Sequence, residues 1–134
     1  MISYMLDTNI IAYAKNGNPP SVLKRLLSCD PGEICISSIT LAELEYGICN
    51  SSNSDQNRIA TMMFLSEITI LPFDSDAAIA YGDIRFDLKS RGLLIGANDL
   101  LIAAHAKSQG LTLVTHNTRE FSRVPGLKLE DWVL

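Results

Sequence analysis

The sequence predicts an α/β fold, a single domain over residues 1–134 in which helices flank a parallel sheet. Two observations carry this reading. Short apolar runs of strand character recur along the chain, and the segments between them space their apolar residues at helical intervals. Strands separated by helices in this way form parallel sheets. The second observation is bulk composition: 134 residues with 47% hydrophobic side chains can bury one proper core and are too apolar for a disordered chain. No internal repeat or linker divides the sequence.

In chain order, Ile2, Tyr4 and Leu6 make a first strand, and the run Ile10, Ile11, Tyr13, Ala14 after Asp7 reads as a short helix. Asn16-Gly17-Asn18-Pro19-Pro20 is a turn. Residues 21–28 form a second helix with Val22, Leu23, Leu26 and Leu27 on its apolar side, and residues 33–36 a buried strand. Residues 37–47 read as a helix closed by Gly47. After a polar loop, a helix runs from Asp55 to about Ser66, its Met62 and Met63 expected to fill gaps in the core. Residues 68–71 are a third strand, stopped by Pro72. The clearest amphipathic helix spans residues 74–90, with Ala77, Tyr81, Ile84 and Leu88 on one stripe and Gly92 ending it. Residues 98–109 are apolar nearly all round, which predicts a largely buried helix. Residues 111–114 are a fourth strand, and Leu127 and Leu129 alternate with Lys128 and Glu130 as an edge strand does.

Composition excludes some functions. Eleven basic against fifteen acidic residues leave a net charge of −4, which counts against simple non-specific nucleic-acid binding. It is compatible with a nuclease whose acidic pocket takes up cations. The basic groupings Lys24/Arg25, Arg85/Lys89/Arg91 and Arg119/Arg123/Lys128 read as solvated faces. No apolar run approaches the roughly 20 residues of a membrane helix, and no basic start or cleavage site frames the N-terminal stretch as a signal peptide. Three cysteines without a C-x-x-C pair suggest reduced thiols and a cytoplasmic location.

The acids carry the functional signal. Asp7 falls where strand character gives way to helical spacing, and open α/β sheets bind ligands beyond the carboxyl ends of their strands. Its alternative role is to cap the following helix. Glu43 follows the second strand within Thr40-Leu41-Ala42-Glu43, which also matches a capping box. Asp99 opens the buried helix, where the dipole favours a carboxylate. A polar loop, Thr115-His116-Asn117, leaves the fourth strand. Three acids and this loop are expected at one edge, each delivered by a strand exit. Two like charges 4 Å apart cost about 4 kcal/mol at an effective dielectric of 20, which a hard cation held by oxygen ligands would offset. His105, in an apolar helix, and His116 lack metal-ligand spacing and read as structural, and no P-loop, G-x-S-x-G or G-x-G-x-x-G is present.

Met5-Leu6-Asp7-Thr8-Asn9, residues 36–47 (ISSITLAELEYG), residues 96–106 (GANDLLIAAHA) and residues 115–121 (THNTREF) resemble the ordered motifs of PIN domains. More narrowly they resemble the VapC toxins of bacterial toxin–antitoxin pairs, down to the ending Leu129-Glu130-Asp131-Trp132. The resemblance implies a five-stranded parallel sheet, a Mg²⁺-dependent endoribonuclease in which Mn²⁺ can substitute, a homodimer, and silencing by a cognate VapB-like antitoxin. It places the metal-site acids at Asp7, Glu43 and Asp99 and a supporting hydroxyl at Thr8. Where many PIN domains have a fourth acid this chain has Asn117, with Glu120 three residues on as the other candidate for that role. The implied substrate is a structured RNA loop, with a tRNA anticodon loop, that of initiator tRNA first, as the leading choice.

Two rival readings are kept. A catalytically inactive PIN module would bind RNA or a partner without cutting, and the intact Asp7, Glu43 and Asp99 argue against it. A phospho-receiver domain would want adjacent acids after the first strand and a lysine after the last, and the chain has neither.

Overall fold

The computed structural model describes every residue, Met1–Leu134. Five short strands, β1 (Tyr4–Leu6), β2 (Ile34–Ser37), β3 (Thr69–Leu71), β4 (Thr112–Val114) and β5 (Lys128–Glu130), form one sheet in the order β3-β2-β1-β4-β5. All four pairings are parallel. The chain builds outward from β1 through β2 to β3, then returns to lay β4 on the other flank of β1. Strand order thus reverses between β1 and β4, the kind of switch point where open α/β sheets leave a crevice at their carboxyl edge.

The side-chain period of two sorts the central strands onto two cores. Met5, Cys35 and Leu113 point to one face, under α5 (Ser75–Ser90), α6 (Ala97–Ser108) and α7 (Thr118–Phe121), where Leu88, Ile102, Ala103 and Phe121 are buried with them. Leu6, Ile34, Ile36 and Val114 point to the other face, against α1 (Thr8–Asn16) and α2 (Pro20–Leu27), with Ile10, Ile11, Val22 and Trp132. The helix α3 (Ser38–Cys49) straddles the edge between them: Ile39 packs on the first core, and Leu41 and Leu44 on the second. The helix α4 (Ser54–Leu65) docks against α3. Burial in the first of these cores lifts the Cys35 thiol's pKa to about 12, so it is an inert core residue. No helix is long and apolar enough to cross a membrane.

Three expectations need correction. The helix predicted over residues 37–47 continues through Gly47 to Cys49, because Asn50 rather than the glycine takes the C-cap position. Met62 and Met63 do not fill the core: α4 buries only Thr61 and Leu65, and Met63 stands 72% exposed beside exposed Ile59. Asp99 is not delivered by a strand exit. The strand β3 leads instead to Asp74, the N-cap of α5, and Asp99 arrives through the connection between α5 and α6.

Candidate functional site

Asp7 is the first residue past β1, 5% exposed, and it serves both roles considered for it. One carboxylate oxygen, Oδ1, accepts the Ile10 N–H at 3.1 Å and caps α1. The other, Oδ2, accepts the Thr115 hydroxyl at 2.5 Å. The register pairs Leu6 with Val114, so the next residue of each strand meets across the switch point. Thr115 in turn accepts the Asn117 backbone N–H at 2.9 Å, fixing its rotamer and the start of the loop. Burial raises the Asp7 carboxyl above its ordinary value, against the lowering influence of Thr115 and Ile10, and the Glu43 charge adds to the rise.

Glu43 lies in the second turn of α3, whose N-cap is Ser37, not Thr40. The capping-box alternative therefore fails, and the Thr40 hydroxyl is buried without a partner. Glu43 Oε1 instead accepts the Thr8 hydroxyl at 2.5 Å, and Oε2 accepts the Asn98 amide at 3.3 Å. Residues from three helices thus meet at one carboxylate. Ser37 is itself hydrogen-bonded to the buried His105 ring at 2.7 Å and accepts the Ile39 N–H at 3.0 Å. His105 packs edge-on against Phe73 at 5.5 Å, and burial lowers its pKa. Its Nδ1 ties α6 to Ser37 at the start of the helix that carries Glu43, and its Nε2 is buried without a partner.

Asp99 differs from the other two. It is half-buried in the first turn of α6 behind Gly96 and accepts no hydrogen bond from any protein group. Its pKa is raised from 3.8 to about 6, by burial first, then by the charges of Asp7, Glu43 and Glu120. Those four carboxylates therefore share one electrostatic neighbourhood. Glu120 joins it as α7 turns back under the edge, and its Oε2 accepts the Asn117 side-chain amide at 3.3 Å. His116 stands apart, exposed and paired with Asp131 at 3.0 Å.

Sequence reasoning missed two participants. Thr115 is legible only once β1 and β4 are known to be neighbours. Asn98 was passed over beside the more conspicuous Asp99, although an amide next to a candidate acid is a signal in itself.

As they stand, no three of the acids close tightly enough to coordinate one ion. Asp99 alone of the four acids accepts no hydrogen bond, while Asp7 and Glu43 each carry one donor on each oxygen and keep further lone pairs, so Asp99 with Asp7 or Glu43 can supply two direct ligands. That donor set fits Mg²⁺, which keeps several waters and takes one or two protein carboxylates. The unpartnered, destabilised Asp99 carboxylate supports the same fit, since a cation would satisfy it. A cleft of about 560 Å³ opens beside Glu43, lined by Thr8, Ile39, Ala42, Tyr46, Asn98 and Leu101.

Comparison with known proteins shows the family. A family profile described as PIN domain matches residues 4–127. The chain is 48% identical over 130 residues to Ribonuclease VapC2 of Rickettsia felis, covering 96% of this chain and 97% of that one. It is 45% identical to the tRNA(fMet)-specific endonuclease VapC of Shigella flexneri, over 98% of this chain and 99% of the relative. Among solved structures, DNA-bound VapBC from Salmonella typhimurium contains a chain that superposes with a TM-score of 0.93 at 41% identity, covering 98% of this chain and 99% of that one.

Proposed function

This chain belongs to the PIN-domain family as a VapC ribonuclease toxin, and from that premise we propose that Asp7, Glu43 and Asp99 hydrolyse an RNA phosphodiester with a Mg²⁺ ion, Mn²⁺ substituting. The observation that carries the proposal is Asp99: a half-buried carboxylate without a hydrogen-bond donor, pushed to about 6 among three other acids. A divalent cation, when bound, would supply an acidified water and positive charge for the phosphate that is cut. Asp7 and Asp99 would hold it, Asp7 with its carboxylate plane fixed by Ile10 and Thr115. Glu43, steadied by Thr8 and Asn98, orients the attacking water and accepts its proton. Asn117 or Glu120 stands in for a fourth acid, and their mutual hydrogen bond makes them one unit. Attack by water leaves a 5′-phosphate and a 3′-hydroxyl.

The substrate reading is a tRNA anticodon loop, initiator tRNA first, supported by the tRNA(fMet)-specific names of relatives 45% and 41% identical. Single-stranded loops also offer the unstacked bases that RNA-binding sites read. A VapB-like antitoxin is the partner, since solved relatives are VapBC complexes. Residues 10–13 do not offer it an apolar docking surface, because Ile10 and Ile11 are wholly buried. The α4 face does, with Ile59, Met62 and Met63 exposed beside a cleft of about 330 Å³ walled by Leu23, Leu26 and Phe64. An antitoxin arginine reaching the acids would complete the block. Exposed Ile79 and Phe86 on α5 offer a face for a homodimer.

The test is cleavage of purified tRNA with Mg²⁺ or Mn²⁺, with EDTA, and with Asp99→Asn. Cleavage only with metal and wild-type Asp99 is expected; activity that survives EDTA or the substitution refutes the site.

A further inference from the structure

Building on the ribonuclease reading above, we infer that the cleft beside Glu43 is a nucleobase pocket, in which Tyr46 stacks on a base next to the phosphodiester that is cut. Tyr46 lies one turn beyond Glu43 on the same helix and is 72% exposed, although it is a large aromatic side chain. No hydrogen bond or aromatic neighbour within the fold uses it. An aromatic ring left in water at the lip of a reaction site is what base stacking on a single strand requires.

Three features select a base over other occupants. The lining carries one carboxylate and no lysine, arginine or histidine, so it repels a phosphate and suits a neutral group with a π face. Each oxygen of that carboxylate already accepts one hydrogen bond, from Thr8 and from Asn98, which leaves less of it for a partner's guanidinium than the donor-free Asp99 offers outside the cleft. Ile39, Ala42 and Leu101 supply apolar wall, while the Asn98 amide, having given one N–H to Glu43, keeps an acceptor and a second N–H for a base edge. A volume of about 560 Å³ leaves room for a base and its sugar. Because Thr8 and Asn98 touch both Glu43 and the cleft, a seated base registers the strand against the acids. Tyr46 is then a positioning residue for the cut.

The experiment uses a fluorescein-labelled RNA single strand that contains the cut site of the wild-type enzyme, bound in EDTA so that it is not consumed. Tyr46→Ala should weaken binding by about 5- to 150-fold, and Tyr46→Trp should restore most of it. Single abasic nucleotides are then walked along the strand. At one position beside the cut, wild type should lose the same factor, and Tyr46→Ala should lose nothing more. Additive losses at every position overturn the pocket, as does a Tyr46→Ala protein that binds RNA normally and has weakened affinity only for an inhibitory protein partner. Thermal melts confirm that the variant folds. If cleavage by wild type with Mn²⁺ stays intact while coupling is absent, only the pocket falls. If wild type cuts no RNA at all, the ribonuclease reading falls and takes the pocket with it.

Discussion

Replacing Asp99 with Asn should make the metal-free protein more stable and flatten its response to pH. The folded state holds the Asp99 proton more tightly than an unfolded chain does, with a pKa of about 6 against 3.8. Ionising the group therefore costs stability: its penalty is absent below pH 3.8, grows as pH rises through the window to about 6, and is constant above. Taken whole, that gap corresponds to about 3 kcal/mol. Asp99 is only half-buried, so solvent screening reduces the penalty to roughly 1–2 kcal/mol. Asparagine also gives up the favourable interaction of a carboxylate with the α6 N-terminus, about 0.3–1 kcal/mol. The net gain at neutral pH is then about 1 kcal/mol, or an increase in melting temperature of roughly 3–4 °C for a chain of this length. Thermal melts in EDTA from pH 4 to 7.5 measure it. Wild type should lose stability between pH 4 and 6 relative to the variant, and Mn²⁺ should restore wild type while barely moving the variant. Equal melting curves across that window, or equal responses to Mn²⁺, would show that Asp99 bears no unrelieved charge.

Other perturbations separate the remaining roles. Asp7→Asn keeps one acceptor oxygen for Ile10 and turns the other into an amide that meets the Thr115 hydroxyl, which must rotate to accept from it, so with the charge removed metal-free stability should stay within ~1 kcal/mol of wild type; cleavage should vanish, and a larger, metal-independent loss with cleavage intact would leave Asp7 as a cap alone. Asn117→Asp adds a carboxylate to the same pocket and should retain or raise Mn²⁺ affinity measured by calorimetry. Weaker binding would place residue 117 outside the metal's reach. Ser37→Ala removes the α3 cap and the His105 partner, which together predict a loss of roughly 2–4 kcal/mol in urea unfolding. A change below ~0.5 kcal/mol would mean that neither bond anchors the Glu43 helix.

Much of the fold was legible because the sequence is locally consistent. Asp7, Ser37 and Asp74 each sit between an apolar strand and a helical run, and each accepts a backbone N–H as a cap. Local patterns were ambiguous where two signals competed. Gly47 suggested a stop, yet a glycine costs a helix only about 1 kcal/mol, and packing of α3 on both cores overrode it. Methionines on α4 looked like filler, but hydrophobicity cannot say whether a face meets the core or solvent. The acids Asp7, Glu43 and Asp99 were picked out by sequence, whereas their connections were not. Thr115 to Asp7 and Thr8 to Glu43 span strand and helix neighbours that only topology makes adjacent. Asp99 was assigned to the right neighbourhood by the wrong route, since two helices stand between β3 and β4.

The placement of β4 beside β1 sets an order of events during synthesis. Asp7 emerges from the ribosome early, whereas its hydroxyl partner Thr115 lies 108 residues further along. Closing so long a loop is entropically costly and must wait for the distant segment. A nascent chain ending before Thr112 has β1 with one flank bare and Asp7 without the contact that fixes its second oxygen. It cannot complete the acidic edge. Premature termination or proteolytic loss of residues 112–134, about a sixth of the chain, therefore leaves the acidic edge unassembled, and any cleavage that depends on Asp7 must wait until the late strand has docked.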